Sequence, residues 1–141
     1  MVQEMIRLPD WRARFCAEMD RQRRVAFEWG SHDCSTGLAL AAVEAITGRD
    51  LRGTWGNYTT AKGAYRAIRK AGFDNLGDLV ASIFPEVHPD MARIGDLGLV
   101  LADGEIGAGL CVFDVSGVIV LMDSGHGRAP REAAIRAFKV G

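Results

Sequence analysis

The chain has 141 residues, 48% hydrophobic and 25% charged, a balance that fits one globular domain able to bury one sizeable core. Its net charge of −1, with no long run of either sign, leaves no electrostatic footprint for nucleic acid, and no stretch holds the ~18 consecutive apolar residues of a membrane span. Cys16, Cys34 and Cys111 are an odd set at long spacing, which argues against a disulfide framework or a zinc site and fits synthesis in a reducing cytoplasm.

The opening stretch, Met1 to Asp10, has no apolar core preceded by basic residues, so no signal peptide is expected. Asp10 is a cap-type residue, and apolar positions three and four apart predict a helix through Trp11, Phe15, Cys16 and Met19 toward Val25. The basic cluster Arg21-Gln22-Arg23-Arg24 is flanked by Glu18, Asp20 and Glu28 and reads as a solvated helix face. Trp29-Gly30 breaks the pattern. Asp33 is a preferred N-cap and Gly48 a C-terminal stop, which frames a helix over 34–47. That helix is apolar nearly all round, with Glu44 its one charge, so it is expected to be buried and central.

Residues 49–58, holding Gly53, Trp55 and Gly56, read as a surface loop. Thr59 or Thr60 caps the next helix, over 61–71 and ended by Gly72; Asn75 caps a shorter one through Ile83, stopped at Pro85. After Pro89 the pattern changes to short apolar runs, 96–102, 109–113 and 118–122, separated by the hairpin signals Asp103-Gly104 and Ser116-Gly117. A last run, 134–140, alternates apolar and basic side chains and reads as a closing strand. Helices followed by an antiparallel sheet predict an α+β domain with the helices on one sheet face. It divides into a helical lead-in (1–28), a helical half (29–85) and a sheet half (92–141).

Chemistry concentrates at Cys34. A cysteine in the first turn of a helix meets unpaired N–H groups and the positive end of the helix dipole, which favour thiolate. The alternative reading is a small buried hydrophobe. The string Trp29-Gly30-x-x-Asp33-Cys34-Ser35-x-Gly37-Leu38, with Thr47-Gly48-Arg49-Asp50, Arg52-Gly53, Tyr58-Thr59 and Gly95-Asp96, resembles the NlpC-type cell-wall cysteine peptidases. They are a papain-like superfamily, and the match is to its branch of short phage and prophage tail proteins, from about Phe27 onward.

The resemblance implies a papain-like α+β fold, Cys34 as nucleophile and oxyanion-binding N–H groups at the head of the central helix. It implies a protein made in the bacterial cytoplasm and carried in the virion tail, with other tail-tip proteins and bacterial peptidoglycan as partners. It also implies a base histidine near Ala108-Gly109 and an orienting polar residue near 120–122, and neither place holds a histidine. His126, in Ser124-Gly125-His126-Gly127, is therefore a candidate base if a flexible glycine loop brings it to Cys34; otherwise it is a loop histidine. His32 is close enough in sequence to tune the thiol. His88 reads as a loop residue.

Asp33 either orients a substrate amine or caps the helix, and Trp29 and Trp55 either wall a substrate groove or pack in the core. Gly125-His126-Gly127-Arg128 lacks the strand-to-helix setting of a phosphate loop. No cofactor and no metal are expected. Three functions compete: a cell-wall peptidase, a tail-tip structural piece with the same fold but no working base, and an acyl transferase using the same thiol.

Overall fold

The computed structural model describes residues 4–141, so the first three residues of the N-terminal stretch lie outside it. The elements are α1 (Trp11–Gln22), a π-helical turn (Cys34–Ala39) running into α2 (Leu40–Thr47), α3 (Ala61–Lys70), α4 (Leu76–Ala81) and six strands. These are β1 (Glu86–Val87), β2 (Leu97–Leu101), β3 (Ala108–Phe113), β4 (Val118–Met122), β5 (Gly125–Ala129) and β6 (Ala134–Phe138). They form one antiparallel sheet in the order β1-β6-β2-β3-β4-β5, with the helices packed against it: an α+β domain. Among the described residues no helix is long and apolar enough to cross a membrane.

The core follows the pleat. Leu97, Leu99, Leu110, Val112 and Ile119 face the helices and bury against Leu38, Val43, Ile46, Leu79 and Val80. The alternate positions, Cys111, Phe113, Ala134 and Ala137, form a smaller cluster with Ala92 on the far face. Caps set the helix ends: Thr60 accepts from Gly63 N–H, Asn75 from Asp78 N–H, and Gly48 closes α2 in the left-handed region at φ 79°.

Four expectations need correction. The N-terminal segment is helical only over α1: Asp10 makes no side-chain cap, and the helix ends at Gln22 rather than near Val25. Residues 4–10 instead act as a strap. Arg7 bonds the carbonyls of Val140 (2.8 Å) and Ile94 (2.7 Å) and pairs with buried Asp96 (2.9 Å), while Leu8 N–H reaches the Ile46 carbonyl (2.8 Å). The basic cluster is a solvated face at its three arginines, which are exposed, but not at Gln22 between them, which is fully buried. The first turn of the central helix is π rather than α, because Leu38 and Leu40 donate to carbonyls five residues back, those of Asp33 and Ser35.

The fourth concerns Gly125-His126-Gly127-Arg128, which is the edge strand β5 and not a loop. Its glycines are there for space: a Cβ on Gly125 would sit 2.3 Å from the Arg23 carbonyl oxygen, and one on Gly127 2.6 Å from Met122 Cγ. Two short 3₁₀ turns, Pro89–Met91 and Arg131–Ala133, and the two-residue β1 complete the chain.

Candidate functional site

Asp33 organises the head of the central helix. It is 1% exposed, and its carboxylate accepts three main-chain N–H groups, from Gly30 (3.0 Å), Ser35 (3.0 Å) and Thr36 (2.7 Å). Two of those donors are the orphan N–H groups of a helix start. The carboxylate is therefore committed to the backbone, which is the capping role. The wide π turn that follows leaves room for the His32 ring, which lies where a Cβ on Gly37 would be: that atom would fall 2.3 Å from His32 Nδ1. Glycine at 37 is thus a packing requirement.

Cys34 follows the cap and lines a narrow cleft of about 40 Å³ with Trp29, Asp33, Trp55, Tyr58, Ile106 and Ala108 among its walls. That volume holds a few waters at most. Trp29 meets Phe27 edge-on (centroids 5.0 Å apart) and Tyr58 at 6.4 Å. Trp55 packs on the main core, and its indole Nε1 is buried without a partner among the described residues. So both tryptophans wall the cleft, and both also make packing contacts.

The thiol is in a different electrostatic state from the one its helix position predicts. Cys34 as a residue keeps partial exposure, yet its sulfur is enclosed, and burial pushes the thiol pKa up. Hydrogen bonds from the Leu110 main chain and from Ser35 pull the other way, and the nearby Asp33 carboxylate adds to the rise. Desolvation is the largest of these influences and sets the direction. Tyr58, beside Asp33 and Thr36, is raised as well, first by burial and then by the Asp33 charge.

The strand that faces Cys34 is β3, at its start. A Cβ built on Gly109 would lie 4.0 Å from Cys34 Sγ, with nothing else within 4 Å. The place from which a base would reach the sulfur is therefore held by a glycine.

The two histidines named from sequence go elsewhere. His126 projects from β5, with its Nε2 3.0 Å from Gln22 Oε1, and lines a separate groove against α1. Gln22 in turn donates to Glu18 (2.8 Å), which pairs with Arg21. Burial lowers the His126 pKa, and the charges of His32, Arg23 and Arg128 push the same way. His32 is buried, its Nε2 has no partner among the described residues, and burial lowers its pKa too, ahead of Arg21. His88 is a surface residue whose Nδ1 accepts from Asp90 N–H (3.1 Å).

The structure thus gathers Cys34, Asp33, Trp29 and Trp55 into one cleft and puts His126 on another wall. Sequence reasoning missed Tyr58 as a cleft residue and Gln22 as the partner of His126. Tyr58 had a signal, its place in the quoted Tyr-Thr pair, while nothing local marks a glutamine in a polar run as buried. Asp96 is also structural: besides Arg7 it accepts Arg93 N–H (2.8 Å) and Val140 N–H (3.0 Å), which ties the chain's two ends to β2. Among the described residues no group of three or more His, Cys, Asp or Glu side chains is placed to hold a metal ion, and all three cysteines are free.

No curated protein is similar enough to the chain to count as a relative. A family described as a domain of unknown function, DUF6950, matches residues 6–140, nearly the whole chain, and the protein belongs to that family.

Proposed function

We propose that the chain is a tail-tip component of a phage or prophage. In this reading it has an NlpC-like, papain-like domain that keeps the cysteine of a cell-wall peptidase and works as a structural and docking piece, not as a hydrolase. One observation carries the reading: among the described residues it is Gly109, which has no side chain to act as a base, that stands opposite the Cys34 sulfur on β3. A thiol whose pKa is raised by burial is almost wholly protonated at neutral pH, and without a base within hydrogen-bond reach it is a poor nucleophile. The Trp-Gly-x-x-Asp-Cys motif and the order of helices before sheet support the kinship; fold alone does not imply activity.

A second reading is favoured by one feature, the placement of Cys34 at a helix start in a cleft walled by Trp29, Trp55 and Tyr58. It makes the chain a peptidase on bacterial cell-wall peptides. Purified peptidoglycan incubated with the parent protein and with Cys34→Ala separates the two. The docking reading expects no soluble muropeptides from either protein. Release by the parent that the variant loses would establish the peptidase.

A further inference from the structure

A second cavity, far larger than the cleft, runs between α1 and the β5 edge of the sheet. It measures about 830 Å³, within the usual range of ligand-binding pockets. Phe15 and Met19 from α1 and Ile119 from β4 line its apolar part, and Val115, 86% exposed at the β3–β4 turn, stands at its mouth.

Its charged groups are not balanced. Arg12, Arg23 and Arg128 line it, with Asp20 and Asp114. Asp114 is tucked under Arg128, their side chains 10% and 59% exposed, so this pair turns its cation outward. Arg23 and Asp20 pair with similar exposure, and Arg12 lies over the Trp11 ring with no carboxylate partner among the described residues. The outward charge is positive.

The backbone adds direction. His126 N–H donates to the Arg23 carbonyl (2.8 Å), away from β4. Since N–H and C=O groups two residues apart in a strand point the same way, those of Arg128 also face the open edge. Residues 23–27 cover the start of β5 through this bond and through Phe27 N–H to the Asp123 carbonyl (3.0 Å), so the edge is open only beyond them. The wall from Arg12 to Arg23 is ~16 Å long, room for about five residues of extended chain.

We infer that this groove is a docking site for an extended, acidic segment of another protein. The segment sets a bulky apolar side chain beside Val115 at the mouth, above the buried floor of Phe15, Met19 and Ile119, places carboxylates on Arg12 and Arg128, and pairs with the Arg128 main chain as strand-addition ligands do. The inference does not rest on the reading of Cys34, because the two cavities share no lining residue.

The test uses the full isotope-labelled chain and a capped peptide, acetyl-Thr-Asp-Leu-Asp-Val-Thr-amide, followed by amide shifts. Saturable shifts at Val115, Gly127 and Arg128 are expected. Binding is to weaken at least tenfold when lysine replaces aspartate in the peptide, and at least tenfold in Arg12→Glu or Val115→Asp, two surface changes that leave the core intact. The alkylation rate of Cys34 is to stay unchanged throughout. No shift at millimolar peptide, or equal binding of the lysine peptide, overturns the inference. So does self-association of the free chain that Val115→Asp abolishes, which would give the groove to a second copy.

Discussion

The two cavities divide between them what a binding enzyme needs in one place. The cleft at the head of the central helix has the reactive atom type and an aromatic wall but only about 40 Å³ of room. The groove between α1 and β5 has about 830 Å³ and unbalanced cations, with exposed Cys16 on its α1 wall. His126, the histidine that a cysteine peptidase would want in the first, lines the second and is held there by Gln22. Two polar groups of the cleft are spent on structure, the Asp33 carboxylate on three backbone N–H groups and the Cys34 sulfur on the Leu110 main chain, while the Trp55 indole N–H has no partner among the described residues.

If that division is right, changes in the cleft cost stability and exposed changes at the groove do not. Asp33→Ala should lose about 3 kcal/mol in denaturant unfolding, since it leaves one buried and two part-buried N–H groups without their acceptor, at ~1–3 kcal/mol for a fully buried one. A loss under ~0.5 kcal/mol would mean that the carboxylate is free for another role.

Gly109→His sharpens the same contrast in chemistry. Its Cβ meets only Cys34 Sγ, at 4.0 Å, which sets the new side chain beside the sulfur. Alkylation of Cys34 by iodoacetamide at neutral pH should rise about tenfold, as a neighbouring imidazolium lowers a thiol pKa. No change would show that enclosure of the sulfur, not the missing base, limits it.

The fold was legible where local chemistry decides it. Gly48, Thr60 and Asn75 mark helix ends by their own conformational and hydrogen-bonding preferences, and Asp103-Gly104 and Ser116-Gly117 mark turns between apolar runs. The β5 strand was not legible, because Gly125 and Gly127 read as loop residues; they are needed where the Arg23 backbone and the Met122 side chain crowd the strand. The π turn was hidden too, since no residue in 34–39 marks it and the packing of the His32 ring against Gly37 is a contact only the folded chain makes. At the site, Cys34, Asp33, Trp29 and Trp55 are close in sequence or bound to one loop, so their meeting could be read. The partner of His126 could not, because Gln22 lies 104 residues away in sequence.

Acid should weaken the fold through two of its histidines. His126 and His32 have pKa values lowered by burial in the folded chain. Below about pH 6.5 the unfolded chain therefore binds protons that the native one resists, and stability falls as pH drops from there through the lowered values. Thermal melting at pH 7.5 and 5.5 checks this, with His126→Gln expected to flatten the dependence. An unchanged slope would remove His126 from the account. The smallest effect is expected for Val115→Asp alone, within ~0.5 kcal/mol of the parent, because Val115 is a surface residue with no buried contact to lose.

The pH profile of Cys34 alkylation in the folded protein, resolved from Cys16 and Cys111 by peptide mass spectrometry, reports on the central assignment without an intermediary. A midpoint above the ordinary thiol range, with labelling at pH 7 far slower than that of a free cysteine, is what a desolvated sulfur facing Gly109 predicts. A midpoint below pH 7 would mean that a cation reaches the sulfur in solution, and the cleft would then be a working active site.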